Sequence, residues 1–162
     1  MKVGLITIGN ELLSGFTVDT NSSWIGQNLI EAGARICWHL TVKDDANQIK
    51  IALDSIPKDC KSLIITGGLG PTHDDITSIS IAEAFKVKLV KNKEALKILK
   101  KFYNLKNETL NKARQKMALI PKGAELLHNP VTKAAGFRIK NVYVMAGIPK
   151  ICLLYTSDAA DE

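Results

Sequence analysis

The chain has 162 residues, 46% of them hydrophobic and 23% charged, with a formal net charge of +6. That is one domain's worth of chain with a single core, and a composition unlike that of a disordered or fibrous protein. No apolar run approaches the roughly 20 residues of a membrane span, and Met1-Lys2-Val3 leads directly into a strand pattern, so neither a membrane partner nor an export signal is expected and a cytoplasmic location is.

Val3, Leu5, Ile6 and Ile8 form a first strand that ends at Gly9-Asn10-Glu11. From Asn21 the apolar residues Ile25, Leu29 and Ala32 recur at helical spacing, with Asn21 or Ser22 as the cap and Gly33 as the stop. Ala34 to Val42 reads as a second strand, Asp44-Asp45 as its loop, and Ile49, Ala52, Leu53 and Ile56 as the apolar face of a second helix. Ser62 to Thr66 is a third strand, and Ser78 to Phe85 a third helix. Beyond it, Lys88 to Val90 reads as a short strand, Leu96, Leu99 and Tyr103 line a helix, and Leu110 to Ala118 predicts another. Glu125 to His128 is extended, and Phe137 to Ile139 and Val142 to Met145 flank Lys140-Asn141 as a hairpin that leads to Gly147-Ile148-Pro149. The segment Cys152 to Glu162 continues none of these periodicities and reverses the charge balance, which marks it as a foreign or disordered tail outside a domain of residues 1 to 151.

Strands separated by helices of this length predict an α/β fold, a mostly parallel sheet with helices on both faces. In such a sheet the strand-to-helix loops emerge on one edge, so Gly9 to Ser14, Lys43 to Ala46 and Gly67 to Thr77 should share a rim. The basic excess lies largely between Lys86 and Lys122, but lysines outnumber arginines and few aromatics are interleaved, so a solvated helical face is favoured over nucleic-acid binding. Cys37, Cys60 and Cys152 have no paired spacing, which argues against a disulfide framework or a zinc cluster. Trp24 and Trp38 are expected to pack on the core, and neither His73 nor His128 is assigned as a general base.

The loop Gly67-Gly68-Leu69-Gly70-Pro71-Thr72-His73-Asp74-Asp75-Ile76-Thr77 is the most informative segment. It fits neither standard phosphate motif: no Gly-Lys-Ser/Thr follows the first glycines, and His73 stands where a dinucleotide fingerprint places its third glycine. Glycines let a backbone approach a bulky anion, whereas paired carboxylates would repel it unless a divalent cation lies between. A ligand-free tight turn is the plainer alternative.

Six segments, Gly9 to Gly15, Asp19 to Asn21, Val42 to Asp45, Gly67 to Thr77, Asn129-Pro130-Val131 and Met145 to Pro149, together resemble the MoaB/Mog molybdopterin-binding domain family. The nearer likeness is to the version found at the N-terminus of the competence/damage-inducible proteins CinA and in their stand-alone relatives. The resemblance spans residues 1 to 151 and implies a three-layer α/β/α domain that forms homo-oligomers. Two departures accompany it. Asn10 stands where many CinA-like sequences have threonine, and the likeness stops near Ile151, so part of the C-terminal portion and the amidohydrolase domain of full-length CinA are missing. Deamidation of a nicotinamide nucleotide is therefore not expected.

The resemblance implies that Asp75 and Asp44 act as catalytic groups and hold a divalent cation, Mg2+ or Co2+. It implies that Gly9, Asn10, Glu11, Asn21, Gly67, Gly68, Gly70, Thr72, Asp74, Asn129 and Pro130 bind a small-molecule nucleotide or a pterin phosphate. ADP-ribose pyrophosphatase activity is the first expectation, molybdopterin binding with adenylyl transfer the second, and a binding module without turnover the third. Taken alone, Asp44 could equally be a helix N-terminal acid stabilised by the dipole.

Overall fold

A computed structural model describes residues 1–129 and 134–147; the tail from Cys152, Pro130 and Ile148-Pro149 lie outside those residues. Strand β1, Lys2–Ile8, is buried along almost its whole length, as expected of a strand packed on both faces. It pairs in parallel with β2, Arg35–Val42, on one side and with β3, Ser62–Gly67, on the other. The late strand β8, Val142–Ala146, adds in parallel to β3, and β7, Gly136–Ile139, and β6, Glu125–Leu127, continue antiparallel. The six-stranded order is β2-β1-β3-β8-β7-β6.

Successive side chains of β1 enter different clusters, as the strand period of two requires. Leu5 packs with Ile25 of α2, Thr20–Glu31, on one face. Ile6 and Ile8 join Ile49 and Ala52 of α3, Ala46–Asp54, and Ile81 of α4, Thr77–Ala84, on the other. The result is the three-layer α/β/α arrangement with a mostly parallel sheet. Trp24 and Trp38 pack against these clusters. Beside the main sheet, β4, Leu89–Lys91, and β5, Leu119–Pro121, make an antiparallel ribbon. Helix α5, Lys93–Leu105, closes a separate cluster there through Ala95 and Leu99. No helix among the described residues is long and apolar enough to cross a membrane.

Three local expectations need correction. Helix α2 begins two or three residues earlier than a cap at Asn21 or Ser22 would allow, because the Asp19 carboxylate accepts the Ser22 N–H at 3.0 Å and a carboxylate is a strong cap. The chain after β1 does not run straight into a loop but forms a one-turn helix, α1, Asn10–Leu13. The helix expected from Leu110 to Ala118 shrinks to α6, Lys112–Gln115, followed by a 3-10 turn at Lys116–Ala118. Asn111 sets its start: its side chain accepts the Arg114 N–H at 2.9 Å and caps the first turn of α6.

Candidate active site at the rim of the parallel strands

Because β1, β2, β3 and β8 are parallel, their ends at Ile8, Val42, Gly67 and Ala146 open at one edge. Two backbone hydrogen bonds hold the loops to it: Gly9 N–H to the Val42 carbonyl and Gly147 N–H to the Gly67 carbonyl, both 3.0 Å. The three loops read from the sequence as one rim are therefore brought together, with the start of the Gly147 turn as a fourth.

The glycine loop is shaped by contact rather than by turn geometry. A Cβ on Gly67 would lie 2.7 Å from Ile8 Cβ, and one on Gly68 or Gly70 would lie 2.7 Å from an Asp75 carboxylate oxygen. Leu69, buried at the core, pins the loop between them. Asp75 Oδ2 accepts from the Thr72 N–H at 2.7 Å and the Thr72 hydroxyl at 2.6 Å. The loop thus wraps one carboxylate and uses one of its oxygens, and Oδ1 remains for another partner. Lys116 donates to the Thr72 carbonyl at 2.6 Å from the ribbon side of the molecule; spacing in the sequence gave no hint of this brace.

Asp44 is not the helix-capping acid. Asp45 takes that role, accepting the Gln48 N–H at 2.9 Å, while Asp44 Oδ2 accepts the Asn10 N–H at 2.9 Å. Burial holds the Asp44 carboxyl above its ordinary range; the Asn10 hydrogen bond opposes this, and the charges of Glu11, Asp74 and Asp75 reinforce it. Three carboxylates, from the loops after β1 and β3, therefore bear on Asp44 across the rim. Glu11 lies over Gly9, where a Cβ would be 2.6 Å from its Oε1.

Two buried polar atoms at this edge have no hydrogen-bond partner: Thr77 Oγ1 and Asn21 Oδ1. Asn21 uses its amide nitrogen on the Gly147 carbonyl at 3.0 Å. It is positioned by the network beneath it, in which the Asp19 carboxylate binds Ser22 and His39 Nε2 contacts Thr7 Oγ1 at 3.2 Å. Burial pushes the His39 imidazole pKa down, with Asp19 opposing. Thr77, fully buried, opens α4. Helices α2, α3, α5 and α6 each have a side-chain cap, from Asp19, Asp45, Asn92 and Asn111, whereas α1 and α4, which follow the glycines, have none. In α1 the first N–H, that of Asn10, goes to Asp44, whereas the first N–H groups of α4 have no capping side chain.

Of the remaining candidates, Asn129 is buried and donates to the Ala134 carbonyl at 2.9 Å, bracing the entry to β7, and Pro130 is outside the described residues. His73 is exposed in the loop, and His128 pairs with Glu94 at 3.3 Å away from the acids.

The donor set bears on a metal. Rim oxygens are hard ligands suited to Mg2+, but they do not converge into a cage: among the described residues, the group of three whose donor atoms lie within 4.8 Å of one another is Cys37, Asp59 and Cys60. These atoms cluster near Lys2, at the other end of the sheet. The rim fits a cation held by one or two carboxylates and completed by water and phosphate oxygens, the usual habit of Mg2+.

The model of a family described as a probable molybdopterin binding domain matches residues 4–160. The chain is 42% identical over 153 residues to a CinA-like protein of Citrifermentans bemidjiense, covering 92% of this chain but 37% of that one. It is 40% identical over 162 residues to a protein of Pyrococcus abyssi, covering 93% of this chain and 64% of the other. The chain thus spans between about a third and two thirds of the length of these relatives. Among solved structures, a CinA protein of unknown function from Thermoplasma acidophilum superposes with a TM-score of 0.89 at 32% identity, over 99% of this chain and 96% of that one. The tungsten cofactor synthesizing protein MoaB from Pyrococcus furiosus has a TM-score of 0.62 at 21% identity, covering 99% and 91% of the two chains, a likeness of fold.

Proposed function

The chain belongs to the probable molybdopterin binding domain family, in its CinA-like branch, and from that premise we propose that the rim hydrolyses the pyrophosphate of a nucleotide diphosphate such as ADP-ribose with a divalent cation, Mg2+ or Co2+. Thr77 supports this reading most strongly. A buried hydroxyl without a partner costs about 1–3 kcal/mol, and this one opens an uncapped helix at the end of a glycine loop. A phosphate oxygen satisfies the hydroxyl and the helix N–H groups together.

Gly67, Gly68 and Gly70 let the pyrophosphate reach the backbone. Asp75 is held by Thr72 and Asp44 by Asn10, each through Oδ2, which leaves the second oxygen of each outside these hydrogen bonds. A divalent cation bound there supplies charge neutralisation on the pyrophosphate and acidifies a water for attack. Asp74 and Glu11 would add negative potential that favours the cation, and Asn21 Oδ1 and Glu11 would accept from ribose hydroxyls. The expected homo-oligomer belongs to the same proposal. Phe16 and Val18, 92% and 79% exposed between α1 and α2, are apolar side chains that such an assembly would cover.

The family's description favours a second reading, in which the same glycine loop binds molybdopterin through its phosphate and the acids serve an adenylyl step. The assay that separates the two is chromatographic: the chain with ADP-ribose, with and without Mg2+ or Co2+, beside Asp75→Asn. We expect metal-dependent AMP and ribose 5-phosphate, lost by about a hundredfold or more in the variant. Absence of turnover by the folded, metal-supplied protein would move the function to pterin phosphate binding or to a module without turnover.

A further inference from the structure

Cys37 and Cys60 are 23 positions apart in sequence, yet their Sγ atoms are 3.0 Å apart. The fold brings them together by two local features. The pairing of β1 with β2 shifts register between Val3 and Gly4, so that Val3 faces Ile36 and Gly4 faces Trp38, and Cys37 is the extra residue of the bulge. On the other side of β1, the Lys61 N–H donates to the Lys2 carbonyl at 2.9 Å and places Cys60 at the entry to β3. Gly4 lies between: a Cβ there would be 3.5 Å from Cys60 Sγ and 3.1 Å from Leu63 Cδ1. Cys37 is exposed and Cys60 half-buried.

We propose that Cys37 and Cys60 form a thiol-modification site that exchanges with a low-molecular-weight disulfide and closes to an intrachain cross-link strapping β2 to β3 across β1. Exposed Cys37 is the entry point. Its thiolate attacks one sulfur of the small disulfide, forming a mixed disulfide and releasing one small thiolate. Cys60 then attacks Cys37 Sγ, forms the Cys37–Cys60 bond and expels the second small thiolate. The protein loses two thiol hydrogens and two electrons, and the small disulfide becomes two thiols. The order follows from the surroundings. Cys37 is exposed and meets the small disulfide first, whereas Cys60 is half-buried. Burial first, and then the hydrogen bond and charge of Cys37, push the Cys60 thiol up to about 11. Capping Cys37 removes those last two contributions, while the 3.0 Å separation of the sulfurs holds Cys60 against Cys37 for the second step. The cross-link lies at the opposite end of the strands from the rim and leaves the acids and the glycine loop untouched.

The test is to equilibrate the chain carrying Cys152→Ser in buffers of reduced and oxidised glutathione, trap free thiols by alkylation, and map the products by mass spectrometry. The expected species is two hydrogens lighter, loses both alkylation sites together, contains a Cys37–Cys60 linked peptide, and melts roughly 5–10 °C higher than the reduced form. Cys60→Ser should stop at a glutathione adduct on Cys37. Both thiols still alkylated at an oxidising poise, separate glutathione adducts without a cross-link, or bonds between molecules would each overturn the proposal.

Discussion

The two ends of the same parallel sheet are built on opposite terms. At the rim, carboxylates from the loops after β1 and β3 bear on Asp44, two helices begin without side-chain caps, and two polar atoms are buried without partners. At the other end, Lys2 is paired with Asp59, the Met1 ammonium donates to the Gly33 carbonyl at 2.9 Å, and Asn141 donates to the Lys61 carbonyl at 2.9 Å. One end has these polar groups satisfied by the protein; the other leaves Thr77 Oγ1 and Asn21 Oδ1 without partners. The proposed function places the ligand at the end that carries these unrepaired features.

The contrast breaks most severely at the glycine loop. Gly70→Ala places a Cβ 2.7 Å from an Asp75 oxygen, so the carboxylate must move. Turnover should fall by about a hundredfold or more, with a stability loss of roughly 1–3 kcal/mol from overpacking, measured by steady-state kinetics and urea unfolding. A milder crowding at the other end, Gly4→Ala, whose Cβ would lie 3.1 Å from Leu63 Cδ1, should cost less stability and leave kcat/KM unchanged.

Asp44→Asn should separate function from stability. Burial and neighbouring acids hold the Asp44 carboxyl above its ordinary range. A carboxyl raised in this way contributes stability that is fully present below its unfolded value of about 4 and is lost as pH rises through its folded value. At neutral pH the ionised group is therefore a liability to the ligand-free fold. The variant should melt at or above the parent at pH 7 and lose that advantage as the pH falls through the folded value to about 4, while metal-dependent turnover drops roughly tenfold to a hundredfold.

Thr77→Val is the mildest change and sharpens the comparison most. Removing a buried hydroxyl that has no partner in the ligand-free protein should leave the melting temperature unchanged or raise it slightly. The same change should weaken nucleotide binding by about tenfold, read by calorimetric titration. A loss of stability equal to the loss of affinity would make Thr77 a structural residue.

The layout of the rim was legible in the sequence because it depends on periodicity alone: apolar strands alternating with helical faces require parallel pairing, and parallel pairing gathers Gly9, Asp44 and Gly67 on one edge. Cap chemistry was legible in kind but not in place. Asp19 caps α2 ahead of Asn21 and Ser22, and Asn111 caps α6 where the apolar spacing placed Leu110 at the start of a helix. What stayed hidden were contacts between segments far apart in sequence. Lys116 reaching the Thr72 carbonyl and the sulfurs of Cys37 and Cys60 meeting through a bulge leave no trace in spacing. The unpartnered state of Thr77 is likewise a property of packing, not of the motif that contains it.

The rim is read here as a place where cation and phosphate are held together, because its acids are too dispersed to cage a metal alone. The direct measurement is Mn2+ affinity by electron paramagnetic resonance, with and without a non-hydrolysable ADP-ribose analogue. Binding that tightens by about tenfold or more in the presence of the analogue, with the reciprocal gain for the nucleotide, is the predicted result. Equal Mn2+ affinity in both conditions would contradict the joint site.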